Sequence, residues 1–268
     1  MIIDTTQYHT SIYAICVMTS ILAGFIVASI LLVKQKSSKI TILCSALLNI
    51  VLLGYCGLVF EFIVNIKSGY FGSEPADLIT PNPQVDLSNE NPLTGLLSMM
   101  GLTSIGCAIG IIIGSYILSR IFKNTMIIKA YTTVLPLIYS IAKIGCFFGG
   151  CCGGQEYHGP MAVNYLRYGE YINPTLTFPV PLLESVVFMA IFVPMIILFN
   201  KLEFRTHIAI NGILCCVAKF CIDFLRSSHV GQIISINQIL CLVLLAMVIL
   251  FFILSDKVFP HKAEICDL

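Results

Sequence analysis

Residues 142–154 read Ala142-Lys143-Ile144-Gly145-Cys146-Phe147-Phe148-Gly149-Gly150-Cys151-Cys152-Gly153-Gly154, a lysine and a run of glycines closing an apolar stretch. Both residue types are costly there. A charged side chain at the middle of a membrane helix costs about 2.5–3.5 kcal/mol on insertion scales. A glycine weakens a helix by about 1 kcal/mol relative to alanine. Irregular backbone beside a cation is tolerated at membrane depth where it lines a cavity rather than lipid. The stretch therefore reads as the end of a membrane helix opening on a site, with Lys143 as the first candidate residue.

The rest of the chain supports the membrane reading. Of its 268 residues, 57% are hydrophobic and 11% charged, with a mean hydropathy of +0.94. A soluble chain carries about a quarter of its residues as charges. The net charge is +1 and no Lys/Arg cluster stands out, so no nucleic-acid partner is expected. There is no Trp, which leaves Tyr and Phe for any interfacial belt. Most of the twelve cysteines lie inside apolar stretches, where they read as small hydrophobes.

Seven stretches are long enough to span a bilayer. They lie near Ser11–Val33, Ile40–Ile66, Leu93–Leu118, Met126–Phe148, Val180–Phe199, Ile208–Leu225 and Ile236–Leu254. The expected fold is an all-α membrane protein, a single polytopic domain over residues 1–268. The first stretch is too long, and lacks a basic start, for a cleaved signal peptide. Lys34, Lys36, Lys39, Arg120, Lys123, Lys129, Lys201, Arg205, Lys257 and Lys262 fall on one side, against Lys67, Arg167 and Arg226 on the other. By the positive-inside rule the N-terminus is outside and the C-terminus cytoplasmic. The outer face then carries loops 67–92 and 149–179, and a site at the end of the fourth stretch faces outward.

Several polar groups interrupt the spans. Lys219, Asp223 and Arg226 fall at i, i+4 and i+7, on one helix face. They make either a Lys219–Asp223 pair with an interfacial Arg226 or, with Lys143, a cationic pocket suited to a phosphate. Glu184 lies four residues into an apolar helix, costly unless it reaches water or pairs with a cation. Glu61 reads as a structural partner within the second stretch. Gly106, Gly110 and Gly114 make a small-residue face, most simply for helix packing. Gly101 and Ser104 suggest a broken or re-entrant start to that segment. Cys146, Cys151 and Cys152 depart from the C-x₂-C spacing of familiar zinc sites, and no fourth ligand follows at a usual distance. No metal or cofactor is expected, although a reactive cysteine pair remains an alternative.

These residues resemble the bacterial prolipoprotein diacylglyceryl transferases. That family's fourth-segment signature, Gly-Arg-x-Gly-Asn-Phe-x-Asn-x-Glu, is similar to Ala142–Cys151, in a divergent form where Gly-Cys-Phe-x-x-Gly-Cys-Cys replaces the Asn/Glu version. Pro179, Leu182 and Glu184 match its His-Pro-x-Gln-Leu-Tyr-Glu, with Phe178 at the His. Ile222-Asp223-Phe224-Leu225-Arg226 resembles its Val-Glu-Phe-Phe-Arg, and Lys219 falls on an upstream arginine. Ser235-x-x-Gln238 resembles the Ser-x-Gly-Gln that opens the last segment. Thr103-Ser104-Ile105-Gly106 corresponds to a His-Gly-Gly turn, with Ile105 at the His.

The resemblance implies transfer of a diacylglyceryl group from phosphatidylglycerol to the lipobox cysteine of a preprolipoprotein, in the bacterial inner membrane, with glycerol phosphate leaving. Lys143, Lys219 and Glu184 become candidate catalytic residues. Arg226, Asp223, Gly145, Cys146, Cys151, Gly154, His158 and Gln238 become candidate substrate-binding residues. Lysine for arginine replaces a planar fork by a point charge. A paralogue acting on another acceptor, or a non-catalytic protein binding lipid or a partner helix, are the alternatives.

Overall fold

The structure, a computed structural model, describes residues 1–5, 9–70, 104–167, 170–231 and 233–258. It places helices at α1 His9–Lys34, α2 Lys39–Tyr70, α3 Ser104–Ile121, α4 Met126–Gly149, α5 Val180–Ile197, α6 Phe204–Asp223 and α7 Ile236–Val258. All seven are long and apolar enough to cross a membrane. Lys67–Tyr70, expected in an outer loop, extend α2. The remainder of loop 67–92, residues 93–103 of the third stretch with its expected break at Gly101, and the Glu61 side chain lie outside the described residues.

The α4 helix is the centre of the bundle, packing against α1, α3, α5 and α6. It carries Pro136. Proline has no N–H, so the carbonyl one turn earlier, at Thr132, loses its helical donor. Asn211 on α6 supplies another, its Nδ2 donating to Thr132 O at 2.6 Å. A buried carbonyl stripped of its donor costs about 1–3 kcal/mol. Asn211→Ala is therefore expected to destabilise the protein by about that amount in a detergent unfolding titration. In the Pro136→Ala background, where the helix supplies its own donor, the same change costs less. Equal losses in both backgrounds would refute this account.

Toward the far end of α4 from Lys143, Tyr131 is buried, packed edge-on against Phe25 of α1 at 5.3 Å, with its hydroxyl 3.3 Å from Ser45 of α2. The expected packing role of the glycine face is realised on α3. A Cβ at Gly110 would run into the Leu52 backbone of α2, and one at Gly114 into Asn49. Close backbone approach of this kind is how helices associate where lipid removes the hydrophobic drive. Lys129, counted with the inner loops, instead lies buried in α4, donating to Leu202 O at 2.8 Å and standing 5.0 Å from the Phe199 ring centroid.

Residues 149–179 are more ordered than a loop. β2 (Asn164–Arg167) pairs antiparallel with β3 (Glu170–Tyr171) and parallel with β1 (Ile2–Asp4), in the order β1-β2-β3. Isolated bridges join Thr177 to Glu156 and Val163. The sheet lies at the end of the bundle where α4 stops and α5 begins. It fastens the chain on both sides of the glycine-rich stretch.

Candidate active site

Glu184 sits in the first turns of α5, after Pro181 near the helix start, where a carboxylate also gains from the helix dipole. It is fully buried. Its Oε1 accepts from Lys219 Nζ at 2.5 Å, Tyr139 OH at 2.8 Å and Arg226 at 2.9 Å. Its Oε2 faces Lys143 Nζ at 3.0 Å and Arg226 at 3.1 Å. Lys143 and Tyr139 both come from α4, one turn apart, and Lys219 from α6. Lys219 also donates to the Tyr139 hydroxyl at 2.7 Å. Three cations from three stretches of chain thus meet on one carboxylate, so the cationic pocket forms and the simple Lys219–Asp223 pair does not.

Arg226 reaches this point from outside a helix, contrary to the shared-face expectation. The α6 helix ends at Asp223, and the backbone turns through N–H bonds from Leu225 to Ile222 and from Arg226 to Asp223. Arg226 is extended, with φ −80° and ψ 147°. Gly154 forms an antiparallel bridge with it, and Gln155 N–H donates to Leu225 O at 3.0 Å. Ser227 holds Gly153 O through both its N–H and its hydroxyl. A Cβ at Gly154 would collide with Phe178 O, so glycine is required for this close approach. The role of Gly154 here is to clamp the backbone of Arg226.

Asp223 is also fully buried. One oxygen lies 3.5 Å from Arg226 Nε, and the other accepts from the Ser235 hydroxyl. Ser235 and Gln238 form a reciprocal cap at the start of α7. Ser235 N–H donates to Gln238 Oε1 at 3.0 Å, and Gln238 N–H to Ser235 Oγ at 3.1 Å. Gln238 is fully buried and supports Ser235, which in turn orients Asp223. Ser235→Ala is expected to cost about 1–3 kcal/mol, losing a cap and an Asp223 contact together. Ser235→Asp, a competent cap elsewhere, should be worse because it sets a second carboxylate against Asp223. Thermal unfolding of the two variants checks this ordering.

Beside the cations stand three thiols. Lys143 Nζ is 3.5 Å from Cys152 Sγ. The sulfurs of Cys146, Cys151 and Cys152 all lie within 4.8 Å of one another. Hydrogen bonds from Cys146 and Cys151 favour the Cys152 thiolate. They act against burial and together with Lys143 and Arg226, and its pKa falls well below the usual thiol range. Cys151 moves the other way, raised by its hydrogen bonds to Cys146 and Cys152 and by burial. For Arg226, burial works against the charge, but Cys152, Glu184 and Tyr139 outweigh it, so the guanidinium is firmly charged.

Other candidates lie elsewhere. His158 is exposed and its ring pairs with Glu156 at 3.0 Å. Gly145 gives α1 room, since a Cβ there would stand 2.7 Å from Cys16 Cβ. Ile105 is buried in the first turn of α3. Tyr139 was not anticipated. Its only sequence signal is the i, i+4 spacing to Lys143, which an apolar helix offers at many positions.

The model of one protein family, described as prolipoprotein diacylglyceryl transferase, matches residues 1–254. No curated protein matches the chain.

Proposed function

The chain belongs to the prolipoprotein diacylglyceryl transferase family, and from that membership we propose that it moves a diacylglyceryl group from phosphatidylglycerol to the lipobox cysteine of a preprolipoprotein. The observation that carries the donor assignment is the charge of the buried site. Lys143, Lys219 and Arg226 surround Glu184, and of these cations Arg226 also pairs with Asp223. Three cations that converge on one buried carboxylate are placed to take up a monoanionic phosphodiester. Charge-assisted contacts of this kind are strongest where water is scarce.

In the reaction the acceptor sulfur attacks the terminal glyceryl carbon of the lipid. An S–C bond forms, the C–O bond to phosphate breaks, and glycerol phosphate leaves with the electron pair. The cations are already in place when that charge develops, so little reorganisation is needed. Glu184 and Tyr139 hold the two lysines and Arg226 in register before substrate arrives. Gly153–Gln155 fix the Arg226 backbone to the same end. The excess of Lys and Arg in the opposite loops supports an N-terminus outside, a cytoplasmic C-terminus and a site facing outward in the bacterial inner membrane. Lipid enters between helices from the bilayer, and residues 155–173 position the acceptor.

The test uses the full-length protein in phosphatidylglycerol vesicles with a lipobox peptide. The expected product is the peptide carrying one diacylglyceryl group on its cysteine, with none on the serine analogue. Vesicles of a zwitterionic phospholipid should give none. Absence of product beside an active family member, or product on the serine peptide, would refute the proposal.

A further inference from the structure

The reaction requires the acceptor thiol to lose its proton, because the thiolate is the nucleophile. Among the described residues, the carboxylates and imidazoles are engaged elsewhere. Glu184 is engaged by three cations. His158, His207 and His229 are turned to Glu156, the Met195 carbonyl and the Phe224 ring instead.

The three-cysteine cluster has no part in the mechanism so far, yet the backbone brings it together with care. Cys146 lies in the last turn of α4. Gly150 ends the helix in the left-handed region at φ 68°, donating its N–H to Cys146 O, and Cys151 N–H donates to the same oxygen at 3.1 Å. Cys152 is itself left-handed at φ 59°, a conformation uncommon for a residue with a side chain. A Cβ at Gly150 would meet the Tyr165 ring at 3.0 Å. The turn thus folds Cys151 and Cys152 back over the helix end, toward Cys146 and beside Lys143.

We propose that Cys146, Cys151 and Cys152 hold a zinc ion whose open fourth position binds the acceptor thiol as a thiolate. This rests on the transfer reading above. Sulfurs around one zinc, at about 2.3 Å from it, stand about 3.8 Å apart, within reach of small side-chain rotations from the observed spacing. Thiolates are soft ligands suited to zinc. Among the described residues the group comprises three ligands, the number of catalytic rather than structural zinc sites. Three thiolates on a divalent ion leave one negative charge, and Lys143 Nζ stands 3.5 Å from Cys152 Sγ beside it.

A thiol that coordinates a metal is deprotonated outright. The acceptor displaces a bound water, and its proton leaves with that water to solvent. Its sulfur then forms the S–C bond as the C–O bond breaks, and the electron pair departs on glycerol phosphate beside Lys143, Lys219 and Arg226. The thioether product is neutral and a weak ligand, so it leaves and water returns. No oxidant or reductant is consumed.

The experiment loads cobalt(II), a spectroscopic stand-in for zinc, into the full-length protein in detergent, after its thiols have been counted as free. The expected spectrum combines a thiolate-to-metal charge-transfer band with the intense visible bands of a tetrahedral ion. Adding a cysteine lipobox peptide shifts the visible bands, and the serine peptide does not. Cys151→Ser should weaken metal binding about 10–100-fold, taking the loss from outer-shell changes as a floor. Cys216→Ser, a thiol outside the cluster, should leave the spectrum intact. The wild-type titration needs no variant to fold.

No charge-transfer band, or a disulfide within the trio that persists under reduction, would overturn the site. Identical spectra with both peptides would overturn the open position. The two readings fail separately. A cysteine-dependent spectrum without diacylglyceryl transfer would refute the donor-and-acceptor reading and leave the metal site standing. Undiminished transfer by metal-free protein would overturn the metal's role and leave the transferase standing.

Discussion

Glu184→Ala is expected to lower stability by about 3–5 kcal/mol, the loss that follows when one partner of a buried ion pair is removed. The reason lies in what remains. Glu184 receives Lys143, Lys219, Arg226 and Tyr139, and its removal leaves three cations facing one another without the carboxylate on which they converge. Glu184→Gln keeps the shape and part of the hydrogen bonding, so it should fall between wild type and alanine. Thermal unfolding in detergent, read by a fluorescent probe, gives the ordering wild type, glutamine, alanine. A Glu184→Ala protein that melts with wild type would show that the cations are not held by this carboxylate.

Lys143→Ala separates chemistry from folding. Glu184 keeps Lys219 and Arg226 in this variant, so the bundle should hold. The group lost is the cation at the edge of the cluster, 3.5 Å from Cys152 and 3.0 Å from Glu184. Removing one preorganised electrostatic contact to a developing anion costs about 10²–10³-fold in rate. The expected result is therefore a fall of about that size in diacylglyceryl transfer, at nearly unchanged melting temperature. A fall in both together would mark Lys143 as structural.

The spans were legible because apolar length survives any detail of packing. Even so, their ends moved. The sixth was expected over Ile208–Leu225, whereas the helix runs Phe204–Asp223 and releases Arg226 into extended backbone. That shift matters, since periodicity along one helix explains Lys219 and Asp223 but not how Arg226 arrives. The choice of partners was also beyond local spacing. Lys219 and Asp223 are four residues apart, yet Lys219 crosses to Glu184 because α5 and α6 pack together, a fact that no i, i+4 rule contains.

Other features were hidden for different reasons. β1 has three residues and pairs with Asn164–Leu166 across most of the chain, too short for an alternating pattern to register. The convergence of Cys146 with Cys151 and Cys152 depends on two left-handed residues after the helix end. Spacing alone argued against a metal there. Turn geometry brings the three sulfurs within 4.8 Å of one another, which spacing along the chain does not show. Gln238 illustrates the reverse. The family's Ser-x-Gly-Gln marks it as a substrate contact, and in the structure its hydrogen bonds with Ser235 cap α7.

The buried cations are proposed to serve phosphate departure during transfer to a thiol. The most direct test follows phosphatidylglycerol labelled in the head group, in vesicles holding the full-length protein and a lipobox peptide. Labelled glycerol phosphate is expected to be released in step with thioether formed on the peptide, abolished by the serine peptide and strongly reduced in Lys143→Ala and Lys219→Ala. Release that proceeds without the peptide, or that is untouched by loss of either lysine, would contradict this role.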